Sequence, residues 1–216
     1  MTTQKSVFLA GEGDRWYRRN QSALLSEAVP EGIRCFARHA KAGERVLEIG
    51  CGNGVRLNQI RSLIPCECVG IDPSSEAIRE GRDSFPGVRL EVGTADSLNY
   101  PDGIFDFVIF GFCLYLVDRH LLTRVVAEAD RVLKDHGRIG ITDFDSPIPV
   151  KRPYAHREGI WTYKADYGAL FCAFPHFVLI EKISYSHQGP GFTFDLNERV
   201  ASWVIGKDLS AHWGDR

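Results

Sequence analysis

Short apolar runs bounded by turn residues recur along the middle of the chain, and each is followed by residues with helical spacing. Runs of this length flanked by Gly, Pro, Asn and Asp read as buried strands. They fall near residues 45–49, 67–71, 88–92, 105–110 and 138–143, with helices expected near 55–64, 74–84 and 119–135. In the last of these, Leu121, Leu122, Val125, Val126, Ala129, Val132 and Leu133 share one face, and Gly137 is expected to stop the helix. Two earlier helices are expected at 14–28 and 30–41; the second starts at Pro30 and carries Ile33, Phe36, Ala37 and Ala40 as an apolar stripe. Alternating strands and helices, with strands apolar on both faces, predict a parallel sheet covered by helices on each side. The pattern changes after residue 144. Pro147, Pro149 and Pro153 interrupt it, an aromatic-rich segment follows, and two strand-like runs lie near 177–187 and 200–206.

The first central strand ends in a run with specific chemistry, Val46-Leu47-Glu48-Ile49-Gly50-Cys51-Gly52-Asn53-Gly54. Three alternate glycines after a buried strand predict a tight turn, since a residue without Cβ takes positive φ and lets the backbone approach a ligand. The second strand, Val69-Gly70-Ile71-Asp72, ends in a carboxylate placed to accept hydrogen bonds from a ribose diol at the edge of a parallel sheet. Together these features describe a nucleoside-binding crevice. The dinucleotide pattern is G-x-G-x-x-G, with a pyrophosphate on the next helix N-terminus. Here the spacing is G-x-G-x-G, and Glu48 precedes it. A carboxylate at that turn repels a pyrophosphate and suits a ligand bearing an ammonium and a sulfonium.

On these residues the chain resembles the class I S-adenosylmethionine-dependent methyltransferases, whose first motif is E-x-G-x-G-x-G. The resemblance implies a Rossmann-like α/β fold: a seven-stranded, mostly parallel sheet with an antiparallel terminal strand and helices on both faces. It also implies S-adenosylmethionine as cofactor. The cofactor site it implies comprises Glu48, Gly50, Cys51, Gly52, Asn53 and Gly54 of the turn, Asp72 and Pro73 after the second strand, Asp96 and Ser97 after the third, and Gly111 and Phe112 after the fourth. In the family an acidic residue at the position of Asp96 binds the exocyclic amine of adenine; the competing reading is a turn carboxylate that caps its own backbone. Asp106 opens the fourth strand, away from the ligand-binding carboxyl ends, and reads as structural. Phe110 to Tyr115 read as pocket wall, where an aromatic face attracts a sulfonium. The segment Gly13-Asp14-Arg15-Trp16-Tyr17-Arg18-Arg19-Asn20 loosely resembles the N-terminal segment of bacterial methyltransferases of pseudaminic acid and surface-glycan pathways. On that likeness Tyr17 and Asn20 fold over the cofactor's carboxylate and ammonium; the alternative is an exposed amphipathic helix.

Composition narrows the partners. The chain has 216 residues and a formal net charge of −2, so it reads as one domain without the basic footprint of a nucleic-acid binder. Within it, 1–41 reads as an N-terminal helical segment, 42–146 as the cofactor-binding core and 147–216 as a substrate cap with terminal strands. The six cysteines are scattered and lack paired C-x-x-C spacing, so packing is the reading for Cys66 and Cys68. Neither a signal segment nor an apolar run of membrane-spanning length is evident, which points to a cytoplasmic protein. The oligomeric state is not legible.

Catalytic groups are harder to read, because an activated methyl donor mainly requires in-line placement of the nucleophile. General-base candidates are His120, Asp143 and His156, with Asp145, Tyr163 and Tyr167 behind them. The Asp143-x-Asp145 pair lacks a third oxygen ligand, so no metal is expected. Tyr115, Arg152, Tyr154, Tyr163 and Tyr167 are the candidate substrate contacts. Lys151, Arg152 and Arg157 supply charge for an anion or form a solvated surface run. The position after the fourth strand reads Gly111-Phe112-Cys113-Leu114 and not N-P-P-[Y/F], which argues against amino-methylating DNA and glutamine enzymes. The expected activity is methyl transfer to a small molecule, at an oxygen of a sugar or other polar metabolite. The alternatives are a protein or tRNA methyltransferase and a non-catalytic cofactor-binding partner.

Overall fold

Why the central runs are apolar on both sides is evident from where their residues go. In the computed structural model, which describes residues 3–24, 29–189 and 191–210, β1 (Arg45–Ile49) and β4 (Phe105–Gly111) lie side by side at the sheet centre. Leu47, Ile49, Val108 and Phe110 face one core, with Val125, Ala129 and Trp203. Val46, Phe107 and Ile109 face the other, with Ile33, Phe36, Leu57 and Ile78. Successive side chains on a strand point to opposite faces, so two helical layers demand apolar residues at every position.

The remaining strands are β2 (Glu67–Asp72), β3 (Val88–Val92), β5 (Leu133–Phe144), β8 (Phe177–Ser186) and β9 (Arg199–Lys207). They give a seven-stranded sheet in the order β3-β2-β1-β4-β5-β9-β8. β1 to β5 pair in parallel, and β9 enters antiparallel between β5 and β8. The antiparallel strand is thus last in the chain but not at the sheet edge. Helices α3 (Glu31–His39), α4 (Val55–Leu63), α5 (Ser75–Ser84) and α6 (Leu122–Val132) cover the faces.

Two expectations are corrected. The helix expected at 119–135 ends at Val132, and Gly137 does not stop it: β5 begins at Leu133 and runs through Gly137. Leu133 remains buried by pairing with Phe105 at the start of β4, so its apolar character belongs to the strand. The aromatic-rich segment after residue 144 is not irregular. It forms a hairpin of β6 (Val150–Pro153) and β7 (Trp161–Lys164), followed by α7 (Tyr167–Cys172). The helix expected at 14–28 is described from Gly13 to Leu24; 25–28 lie outside the described residues.

The N-terminal segment, α1 (Gln4–Val7), a π-helical turn (Phe8–Glu12) and α2 (Gly13–Leu24), lies over the carboxyl ends of the strands. Asp118 caps α1 by accepting from the Gln4 and Lys5 amides at 2.9 Å each. Gln4 joins it to the hairpin through an Oε1 that accepts from the Trp161 amide at 2.8 Å. Val7, Tyr154 and Ile160 form a small apolar cluster of their own beneath this junction. At the other end, Asp14 accepts from the Ser74 hydroxyl at 2.7 Å and the Glu76 amide at 3.0 Å, fastening α2 to the start of α5. None of the helices among the described residues is long and apolar enough to cross a membrane.

Helix α5 also presses directly on the glycine turn. A Cβ at Gly81 would overlap the Asn53 carbonyl, which is backbone and has no rotamer to change. An alanine in a helix interior ordinarily adds up to about 1 kcal/mol over glycine. Gly81→Ala is expected instead to lower stability by about 1–3 kcal/mol, the range for overpacking a filled site. Urea unfolding measures this directly, and a stabilised variant would show that α5 does not buttress the turn.

Candidate cofactor and acceptor site

The turn after β1 places Gly50, Gly52 and Gly54 at φ of 75°, 56° and 80°. A side chain is strained in this left-handed region, and at Gly50 a Cβ would also come within 2.7 Å of the Cys113 Cβ. Asp72, at the end of β2, holds the turn. Its carboxylate accepts from the Gly52 amide at 2.9 Å and the Ser74 amide at 2.8 Å. A carboxylate offers about four lone-pair sites, so capacity remains for a diol. Burial pushes the Asp72 carboxyl up, against the pull of these two amides.

A cavity opens beside this turn, bounded by the carboxyl ends of β1 to β4. Gly50, Asp72, Pro73, Asp96, Gly111 and Phe112 line it from the sheet, and Lys5, Phe8 and Trp16 from the N-terminal segment. It sits where the strand order reverses between β1 and β4, the position at which open α/β sheets bind ligands. Asp96 is buried and paired with the Lys5 ammonium at 2.7 Å. Burial pushes its carboxyl up, but hydrogen bonds from Lys5 and Thr94, with the Lys5 charge, outweigh this and hold it below the usual value.

A second, larger cavity of about 400 Å³ adjoins the first, with Trp16, Gly111 and Phe112 lining both. Its walls carry Phe36, Tyr115, Phe144, Tyr185 and His187, and polar groups come from Glu48, Arg56 and Gln59. Phe112 stands at the junction with φ of 51°, an uncommon conformation for a bulky residue, and its amide donates to the Thr142 carbonyl at 2.8 Å. Glu48 is buried and accepts from Arg56 Nε at 2.7 Å. Burial pushes its carboxyl up, against the adjacent guanidinium.

Residues 46–137 match the family described as Methyltransferase domain. The chain is 31% identical over 131 residues to the uncharacterized methyltransferase YcgJ of Bacillus subtilis, covering 57% of this chain and 50% of that protein. It is 32% identical over 147 residues to the ubiquinone/menaquinone biosynthesis C-methyltransferase UbiE of Citrifermentans bemidjiense, covering 62% and 61%. The chain therefore spans about half to three fifths of the length of these curated relatives. Among solved structures, the Burkholderia thailandensis 1,6-didemethyltoxoflavin-N1-methyltransferase, with its ligand and S-adenosylhomocysteine bound, superposes with a TM-score of 0.72 at 16% identity, covering 94% of this chain and 88% of that one.

Residues 46–137 are thus similar to a methyltransferase domain in sequence, and the whole chain shares the fold of such enzymes. The residues present fit S-adenosylmethionine, the cofactor that the sequence resemblance implies. The glycine turn lines the cavity with backbone that packs too closely on Cys113 to carry a Cβ at Gly50, Asp72 retains acceptor capacity, and Asp96 offers an acidic group between β3 and β4.

The domain gathers some of the residues marked in the sequence and leaves others elsewhere. Cys51, Gly52, Asn53 and Gly54 build the turn itself. Ser97 is exposed and closes a turn by donating its amide to the Thr94 carbonyl at 3.3 Å. Glu48, Asn20 and Tyr115 line the second cavity. Tyr17 is buried and donates to Glu80 at 2.7 Å while accepting from Asn53 Nδ2 at 3.2 Å, so its phenol ties α2 to α5 and the turn.

His120, His156 and Arg152 are exposed and line neither cavity; His156 lies in the hairpin connection, its ring 5.3 Å from Tyr154. Tyr154 accepts from Arg19 at 2.7 Å within the N-terminal junction. Tyr163 and Tyr167 hold Arg119, one by its ring at 4.3 Å and the other by its hydroxyl at 3.2 Å. Tyr154, Tyr163 and Tyr167 therefore pack the hairpin and α7 on the domain. Lys5, Phe8, Gln59, Tyr185 and His187 line the cavities without having been marked by any sequence pattern.

Asp143 is buried at the end of β5, where it accepts from the Phe144 amide at 2.8 Å and the Tyr115 amide at 3.3 Å. It holds the post-β4 segment and lines neither cavity. Asp145 is paired with Lys182 at 2.9 Å and Arg199 at 3.0 Å, so cations of the protein occupy its carboxylate.

Two measurements test this geometry. Asp72→Ala is expected to weaken S-adenosylhomocysteine binding by about 1.5–3 kcal/mol, the worth of hydrogen bonds to a charged acceptor. That is roughly a ten- to hundredfold rise in Kd by calorimetry, and an unchanged Kd in the folded variant would remove Asp72 from the site. The second concerns pH. Burial pushes the Asp143 carboxyl from 3.8 up to about 7. The folded state then keeps a proton that the unfolded state has lost, so stability falls as pH rises through that window and levels off above it. The full effect is about 4 kcal/mol at about 1.4 kcal/mol per pH unit. Relative to Asp143→Asn, which has no proton to lose, the wild type should lose stability between pH 4 and pH 7. A difference independent of pH would mean the carboxyl is ionised throughout.

Proposed function

We propose that the protein transfers the methyl group of S-adenosylmethionine to a small-molecule acceptor held in the second cavity. The observation carrying this reading is the shared wall: Trp16, Gly111 and Phe112 line both cavities, so donor and acceptor sites meet at the end of β4. When bound, S-adenosylmethionine supplies a methyl activated by its sulfonium. Transfer forms the bond from nucleophile to carbon, breaks the carbon–sulfur bond, leaves neutral S-adenosylhomocysteine and releases the acceptor's proton.

The residues of the chain position the reactants and exclude water. Asp72 and the glycine turn hold one end of the cofactor, Asp96 the other, and Phe112 fixes the boundary between the cavities. Burial pushes the Tyr115 phenol up, so it stays protonated and orients the acceptor without serving as a base. Oxygen is the acceptor atom of this reading. A sugar precursor rested on the N-terminal segment, yet its side chains are engaged within the protein: Asp14 with Ser74, Tyr17 with Glu80, Arg19 with Glu12 and Asn20 with the Trp16 carbonyl. Those partners support a docking role for the segment, and the aromatic lining supports a ring over a sugar.

Incubating the protein with methyl-labelled S-adenosylmethionine and a size-fractionated cell extract tests the proposal. Label is expected in the low-mass fraction and is expected to disappear with Asp72→Ala. Label in macromolecules would replace the small-molecule reading. Cofactor binding without label anywhere would leave a non-catalytic binding partner.

A further inference from the structure

We infer that the second cavity takes a planar, conjugated ring bearing an O–H or N–H donor, and that Glu48 and Gln59 recognise that donor. The inference rests on the proposed function only in making this ring the methyl acceptor. At about 400 Å³ the cavity lies in the ordinary range for a small-molecule site. One wall is a continuous group of rings drawn from three parts of the chain. Phe144 stands 5.2 Å from Tyr115, 6.1 Å from Phe112 and 5.8 Å from His187, and Phe112 stands 5.5 Å from His187. Rings in these tilted and edge-on arrangements favour another ring as occupant. Phe112 and Phe144 offer no partners to the many hydroxyls of a sugar, whose burial without hydrogen bonds is costly.

Two acceptors of the residues lining the cavity lack a donor. Glu48 Oε2 and Gln59 Oε1 are both buried and have no hydrogen-bond partner, and both residues line the cavity. Buried acceptors left unpaired are rare, because each forfeits the hydrogen bonds it had in water. Arg56 does not meet this need. Its Nε donates to Glu48 Oε1, and one Nη donates to the Gly50 and Gly111 carbonyls at 2.8 and 3.2 Å. An ionised Glu48 accepts only. The group that completes it is therefore an O–H or N–H, whereas an anion would face a like charge.

The test uses the whole chain, with and without S-adenosylhomocysteine, and three probes: 2-naphthol, 2-methoxynaphthalene and methyl α-D-glucopyranoside. Calorimetric titration is expected to show 2-naphthol binding about tenfold tighter than its methyl ether, the worth of one hydrogen bond to a charged acceptor, and the glucoside weakest. Glu48→Gln keeps an oxygen for Arg56 but replaces the free oxygen by an amide, so the preference for the naphthol over its ether should vanish. Gln59→Met leaves the Glu48–Arg56 pair intact and should reduce that preference several-fold, which keeps the test open if the first variant misfolds. Equal binding of naphthol and ether to the wild type, a glucoside bound as tightly as the naphthol, or no binding by any probe would each overturn the inference. S-adenosylhomocysteine failing to bind while the naphthol preference holds would instead overturn the proposed function and leave the cavity assignment standing.

Discussion

One carboxylate joins the two halves of the cofactor crevice. Asp72 accepts from the Gly52 amide at the end of β1 and the Ser74 amide at the start of α5, so the ends of two neighbouring strands share a single anchor. The glycines then have only one conformation to adopt, with φ between 56° and 80° across Gly50, Gly52 and Gly54. Helix α5 closes against the same turn from outside, with no room for a Cβ at Gly81. The shape of the crevice thus follows from hydrogen bonds and close backbone packing, before any ligand contact is considered.

A second layer of structure determines what reaches that crevice. The N-terminal segment is fastened at one end by Asp14 to α5 and at the other by Asp118 and Trp161, through backbone amides and Gln4. It brings Lys5 to Asp96 and Trp16 to the boundary between the cavities. The β6–β7 hairpin buttresses this segment through Tyr154 and Ile160. Its basic residues lie outside both cavities, and the rings of the second cavity come from the ends of β4, β5 and β8.

The relation between Glu48 and Arg56 illustrates how burial changes the meaning of a motif residue. Ahead of the glycine turn, a carboxylate reads as a partner for a cationic ligand. In the folded chain Arg56 neutralises one of its oxygens from the first turn of α4 and the other is left unpaired beside the second cavity. The side chain follows the alternation of β1: Leu47 and Ile49 face one layer, and Glu48 emerges on the opposite side, toward α4.

What the sequence determined by itself was everything governed by local periodicity and backbone chemistry. Strand runs apolar on both faces required a parallel sheet between helices, alternate glycines after β1 required a left-handed turn, and a terminal carboxylate on β2 placed Asp72 at the crevice. Boundaries set by pairing were less legible: Leu133 fits the apolar stripe of α6 but is claimed by β5, because its strand partner Phe105 lies far away in the chain. The second cavity was legible only in the segment after β4, where Phe112 and Tyr115 read as pocket wall. Trp16, Gln59, Phe144, Tyr185 and His187 come from distant segments, and none carries a pattern that distinguishes a pocket wall from ordinary core. Only the tertiary structure decided which of these surfaces meet, because long-range strand pairing and helix docking, not local propensity, fix where such side chains converge.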